Sequence, residues 1–250
     1  MPTYDLSHQL EDGMPVYPGD PPVEIEPTAT LEADGYRTTG LSIDTHAGTH
    51  VDAPAHLVSG GRTLEEYSLE TFRFTTRVVD CRPLEDREPI DADALRDAYD
   101  AADTDALRDA YDAADTDALR DAYDAADTDD DPRDADLLLV RTGWETHWGT
   151  DRYFDHPYLT ADAADYLLER RCHLGVDAPN VDPTPTPAAR ADEPDGYPVH
   201  HALLGDGRLL LENLCGLAAV PETFELHAYP LNLGDADGAP VRAVAVLDEE

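Results

Sequence analysis

The chain contains no lysine. All 17 of its basic side chains are arginine, against 55 Asp and Glu, giving a formal charge of −38 over 250 residues. Such a surface repels phosphate backbones and anionic headgroups, which argues against nucleic-acid and membrane partners. Cysteine is scarce too. Cys81, Cys172 and Cys215 are odd in number, widely spaced and outside any Cys-x-x-Cys pattern, so buried thiols are expected rather than a disulfide framework. No apolar run approaches the roughly 18 residues of a membrane span, and Met1 to Leu10 has neither a basic nor an apolar leader segment. A soluble, cytoplasmic protein is expected. The hydrophobic fraction of 41% still suffices for a core and argues against a disordered acidic chain. The absence of lysine beside so many carboxylates points to a halophilic host, where concentrated salt screens their repulsion.

Three copies of a twelve-residue unit run from Asp91 to Ala126: DADALRDAYDAA once, then DTDALRDAYDAA twice. Each places a Leu and a Tyr four apart (Leu95 and Tyr99, Leu107 and Tyr111, Leu119 and Tyr123), the spacing of one helix face. Twelve residues at about 100° each rotate that face by about 120°, so an unbroken helix cannot seat all three copies on one core. Either Asp103, Thr104, Asp115 and Thr116 cap breaks between units, or the extra copies project into solvent as a tolerated insertion or an interaction arm.

Elsewhere the pattern is α/β in one domain spanning 1–250. Strands are expected at Leu41 to Thr45, Arg77 to Cys81, Asp136 to Arg141, Leu174 to Asp177, Arg208 to Glu212 and Val241 to Leu247. A helix capped by Thr160 is expected through Arg171, with Ala163, Ala164, Leu167 and Leu168 on its apolar face. The Pro-rich stretches Pro15 to Pro27 and Pro179 to Pro198 read as ordered irregular coverings, because apolar strands resume beyond them.

The densest chemistry lies in His46-Ala-Gly-Thr-His50-Val-Asp52-Ala-Pro-Ala-His56. Gly48 and Pro54 oppose a helix, whereas an extended chain puts positions 46, 50, 52 and 56 on one face. Residues four apart on a straight strand are about 13 Å apart, too far to share an ion, so the backbone must bend, and Gly48 is where it can. Two imidazoles and a carboxylate suit Zn²⁺ and tolerate Mn²⁺ or Fe²⁺, and three ligands leave a position for water. The alternative is a set of histidines that merely hydrogen-bond around a turn. His56, beyond Pro54, is either a proton shuttle or a fourth ligand. A second cluster, His200 and His201 followed by Glu212 at the end of an apolar strand, adds a carboxylate costly to bury unpaired. With Asp52 as bridge it could hold a second ion.

These residues resemble the cyclase family that includes bacterial kynurenine formamidase (arylformamidase) and isatin hydrolase. Asp5-Leu-Ser-His8, Met14 to Pro21, Leu138 to Thr142, Gly175 to Pro183, Glu212 to Leu214 and Asp235 to Val244 carry the same likeness, which omits the repeat. The resemblance implies a swivelling β/β/α fold with a mixed sheet, assembled as a homodimer or homotetramer. It implies His46, His50 and Asp52 as ligands of a first metal, His200 and Glu212 with Asp52 for a second, and His56 as general acid/base. It also implies Tyr17 as a substrate-binding ring where formamidases typically carry Trp, while Trp144 in Arg-Thr-Gly-Trp is similar to the broader cyclase branch. The implied reaction is metal-dependent hydrolysis of an aryl formamide, N-formylkynurenine to kynurenine and formate in tryptophan catabolism. One or two Zn²⁺, or alternatively Mn²⁺, would serve as cofactor, and a small aromatic amide as substrate. The alternatives are isatin-like opening of a cyclic amide, another family hydrolysis or dehydration, and a non-catalytic metal-binding interaction protein. His8, His147, His156, His173 and His227 are isolated by spacing and read as surface or core groups; Trp148 and Tyr153 read as packing or as pocket walls.

Overall fold

The computed structural model describes residues 1–101 and 135–247. The second and third copies of the repeat, with Leu107, Tyr111, Leu119, Tyr123 and the expected caps at Asp103, Thr104, Asp115 and Thr116, lie outside the described residues. The first copy does contribute a helix, over 92–101, started by Asp91, whose carboxylate accepts from the Ala94 N–H at 2.8 Å. Leu95 and Tyr99 are both buried on its inner face, as their spacing predicts.

Strands β1 (Thr3–Asp5), β4 (His50–Asp52), β5 (Arg73–Asp80), β7 (Leu137–Arg141), β9 (His173–Val176), β10 (Leu210–Glu212), β11 (Thr223–His227), β12 (Gly238–Pro240) and β13 (Val244–Val246) form one sheet. Their order is β1-β13-β11-β5-β7-β9-β10-β4-β12. The middle four, β5-β7-β9-β10, run parallel, and antiparallel strands flank them on both sides. Two small ribbons lie outside: β2 (Glu24–Ala29) with β3 (Thr38–Ser42), and β6 (Pro89–Ile90) with β8 (Tyr158–Leu159).

Parallel strands covered on both faces read as continuous apolar runs, and β7 shows why. Leu138 and Val140 enter one core, beneath helices 92–101, Ala161–Arg170 and Pro198–Gly205, while Leu137 and Leu139 enter the other. The expected helix after Thr160 is present with Ala163, Ala164 and Leu167 buried, and Arg171 ends it in the left-handed region at φ 59. Among the described residues none of the cysteines forms a disulfide, and no helix is long and apolar enough to cross a membrane.

Two strand expectations need correction. The segment expected at Leu41 to Thr45 pairs at Thr38–Ser42, because the turn that follows bends residues 43–49 toward the interior. The run expected from Val241 to Leu247 is split: the chain leaves β12 after Pro240 and resumes as β13 at Val244, on opposite sides of the sheet. β11, with Phe224 and Leu226 buried and Glu225 between them less so, was not expected, since its Glu and His residues mask a short alternation.

Candidate metal centre and active-site cavity

The expected bend is at Gly48, whose φ of 68 belongs to the left-handed region and whose added Cβ would lie 2.9 Å from the Leu10 side chain. Only His50–Asp52 is strand; His46 sits in the preceding turn and His56 ends the 3₁₀ turn Pro54–His56. The four groups are thus gathered by two turns about a short strand rather than aligned on one extended face. Within β4 the alternation sends Val51 into the core and turns His50 and Asp52 the other way. Register then places Glu212 directly opposite His50.

Asp52 is 1% exposed and lies at the centre. Its Oδ1 is 2.7 Å from His46 Nδ1 and 3.2 Å from His50 Nε2; its Oδ2 is 3.6 Å from His200 Nε2. Glu212 lies 3.6 Å from His50 Nε2 and 3.3 Å from His200 Nε2. Potential ligand atoms fall into two sets that share Asp52: His46, Asp52 and His56, and His50, Asp52 and Glu212, each within 4.8 Å of one another. The structure therefore brings His46, His50, Asp52, His56, His200 and Glu212 together, and sets His56 beside His46, with ring centroids 3.9 Å apart. His201 is exposed, one helical position away from this cluster.

The second nitrogens of these rings are also held. His50 Nδ1 donates to the Gly48 carbonyl at 2.8 Å, and His200 Nδ1 donates to Asp182 at 2.8 Å, so each turns Nε2 inward. Asp182 also accepts from the Val199 and His200 N–H groups, capping the helix that carries His200. Asp237 lies 3.2 Å from His46 Nε2 and 3.6 Å from His56 Nδ1. Neither carboxylate was singled out in the sequence; both lie in family-like stretches, but nothing in their spacing assigns them a partner. Gly238 follows Asp237, and a Cβ there would lie 2.5 Å from His46 Cε1, so the ring rests on bare backbone.

The cluster is electrostatically hungry for cations. Burial disfavours charge on His46, but Asp52 and Asp237 override it and raise its pKa to about 10. Burial also opposes charge on His50 and His200; the neighbouring carboxylates raise both. Asp52 is held well below the usual carboxylate range by His50 and His46 despite its burial. His56 differs: burial keeps its pKa below the ordinary value. Asp52 Oδ2 is buried without a hydrogen-bond partner, and the donor set is imidazole nitrogen and carboxylate oxygen throughout. Both observations fit a divalent cation.

The cluster forms one wall of a cavity of about 270 Å3. The Pro-rich segments supply the cover, through Pro15, Val16 and Tyr17 on one side and Pro179, Asn180 and Tyr197 on the other, with the two tyrosine hydroxyls 3.2 Å apart. Tyr153 and Phe154 line it as well. Trp148 does not line it; its ring is stacked on His8 at 3.8 Å. His156 and His173 are the satisfied groups that their isolation suggests, bonded to Thr184 and to the Leu209 N–H.

The putative cyclase family profile matches residues 4–183. The chain belongs to this cyclase family. It is 30% identical over 243 residues to the kynurenine formamidase of Bacillus mycoides (strain KBAB4), covering 96% of this chain and 95% of that one. Among solved structures it is similar to an isatin hydrolase bound to the product analogue thioisatinate, with TM-score 0.75, 21% identity, and 99% and 92% of the two chains covered. It is also similar to a potential metal-dependent hydrolase with cyclase activity, at TM-score 0.68 and 25% identity over 100% and 99% of the chains. The cyclase fold accounts for the large mixed sheet and for the convergence of β4, β10 and the turn before β12 on the cluster.

Proposed function

We propose that this cyclase-family protein is a metal-dependent amidohydrolase that cleaves an aryl formamide, N-formylkynurenine being the substrate to test first. The observation that carries the reading is Asp52: a buried carboxylate with one oxygen unpartnered, among three imidazoles and Glu212, on the wall of a cavity with aromatic sides. His46, His50, Asp52, His200 and Glu212 would hold one or two Zn²⁺, with Mn²⁺ as the alternative. When bound, such an ion supplies Lewis acidity, which polarises a carbonyl and lets water attack near neutral pH.

The protein side chains do the rest. Tyr17, Tyr153 and Phe154 offer rings for an aryl group, and the two Pro-rich segments exclude bulk water. His56 is partly open to the cavity and neutral near pH 7, so it can take a proton from water and return it to the departing arylamine nitrogen. Asp237 lies 3.6 Å from its Nδ1, beyond hydrogen-bond reach but close enough to attract a proton the ring takes up.

Formate release from N-formylkynurenine, assayed at high salt with Zn²⁺ or Mn²⁺, tests the reading; no release with either ion in a metal-loaded protein defeats it. The likeness to an isatin hydrolase favours a second reading, opening of a cyclic amide, and isatin in the same assay separates the two. His56→Ala is expected to lower kcat by about 10²- to 10⁴-fold with metal content unchanged. Loss of metal in that variant would instead make His56 a ligand.

A further inference from the structure

A separate cavity, of about 210 Å3, takes no part in the chemistry above. Its lining comes from residues 182–197, the inner surface of one Pro-rich loop, and from a single side chain brought in from elsewhere, Arg87. Asp182 closes the neck of that loop by accepting from the Val199 and His200 N–H groups, so the segment is an Ω-loop standing on the helix that carries His200. Such loops are usually packed by their own side chains. This one is hollow. Between Pro183 and Tyr197 only Thr184 is buried, and none of these described side chains joins a hydrophobic core.

Polar contacts therefore hold the loop down, and Arg87 makes most of them. Its side chain is 3% exposed, and every N–H of its guanidinium has an acceptor. Nε donates to Glu193 Oε1 at 2.6 Å, and a terminal nitrogen completes the fork on Glu193 Oε2. The same nitrogen reaches the Thr184 carbonyl at 3.0 Å, and the other reaches Thr186 Oγ1 at 3.1 Å and Asp155, outside the loop, at 3.2 Å. Two further ties remain, Thr184 to the His156 ring and Arg190 to the Asp86 carbonyl. Arg87 takes φ 57, a left-handed conformation uncommon for arginine that persists only where the surroundings fix it.

The loop delivers one residue to the metal side. Gly196 and Tyr197, at φ 83 and 78, turn the chain into the helix Pro198–Gly205, and Tyr197 lines both the hollow of the loop and the catalytic cavity. A tyrosine holds such a conformation only while its neighbours constrain it. Removing Arg87 would leave Glu193, whose side chain is 6% exposed, buried without its counter-charge. Because Glu193 sits on a loop with no apolar anchor, lifting the loop hydrates it and the core need not unfold.

We propose that Arg87 is a positioning residue: it latches the 183–197 loop shut and so keeps Tyr197 seated as a wall of the catalytic cavity. Trypsin tests the latch in the metal-loaded full chain, because Arg190 lies exposed on the loop. Arg87→Gln is expected to speed cleavage after Arg190 at least tenfold, read by mass spectrometry, with cleavage at other sites unchanged. Arg87→Lys is expected to behave alike, since an ammonium cannot reproduce the fork on Glu193, and Glu193→Gln to give about a threefold rise. A loop closed about one tenth of the time lowers apparent affinity about tenfold, so KM for N-formylkynurenine is expected to rise by that factor in Arg87→Gln with kcat within twofold. Unchanged cleavage after Arg190 overturns the proposal, as does an equal rise at every site, which would mean general destabilisation. Faster loop cleavage with KM unmoved overturns it too, because Tyr197 would then keep its seat without the latch. Should Arg87→Gln fail to fold, Glu193→Gln decides by the same two readouts. The KM readout rests on the aryl-formamide reading and the cleavage readout does not: selective loop cleavage without formate release from the parent would sink the hydrolytic reading and leave the latch standing.

Discussion

Asp182 contacts no substrate-facing atom of the cluster, yet it holds His200 by both its ring nitrogen and its backbone N–H. An outer carboxylate of this kind orients the imidazole and raises its basicity. Asp182→Asn is expected to weaken zinc binding by about 10- to 100-fold, read by competition with a chromogenic chelator, with the fold retained by circular dichroism. Gly238→Ala is harsher in a more local way. Its Cβ would overlap the His46 ring, and the ring must move because the strand backbone cannot. Zinc stoichiometry is expected to fall below that of the unmodified chain; full stoichiometry would show that the ring has room to shift. His156 provides the pH-dependent case. Its neutral ring bonds the Pro157 carbonyl and the Thr184 hydroxyl, and burial lowers its pKa to about 4. Because the unfolded ring titrates near 6.5, the unfolded chain binds more protons between the two values. The stability it contributes is present above about pH 6.5 and lost as pH falls toward 4, on the order of 3 kcal/mol. Urea midpoints for His156→Gln are expected to fall less steeply over that window than those of the parent.

The strands of the sheet centre and the helix after Thr160 follow from apolar pattern, because there side-chain burial and local periodicity ask for the same thing. The helix over 92–101 belongs here too: its Leu95 is 2% exposed beneath the same core as Leu138 and Leu167. Leu95→Ala is expected to lower unfolding free energy by about 2–5 kcal/mol in chemical denaturation. An effect under about 0.5 kcal/mol would mean that this first copy of the repeat is dispensable to the core. β3 and the split after Pro240 were displaced from their expected positions because strand ends are set by which neighbour a segment meets, and that neighbour is distant in sequence.

Over the whole molecule, a charge of −38 with arginine as the sole cationic residue type makes self-repulsion a large opposing term. Raising salt from about 0.1 M to about 1 M shortens the screening length from about 10 Å to about 3 Å. The melting temperature is expected to rise strongly over that range with KCl, and a flat response would remove the halophilic reading of the composition. Buried pairs such as Arg87 with Glu193 and Asp155 are screened much less and contribute little to that rise.

The sequence by itself determined the types and spacing of the groups that converge: His46, His50, Asp52 and His56 within eleven residues, and His200 twelve before Glu212. It also placed the bend at Gly48, since that position alone between His46 and His50 lacks a Cβ. Only the tertiary structure decided that Glu212 faces His50 across a strand pair and that Asp182 and Asp237 hold the rings. Those relations span up to 191 residues, as in His46 with Asp237. Sequence spacing encodes neighbours along one strand or turn; which distant strand ends meet is fixed by sheet register and by the burial of both faces at once.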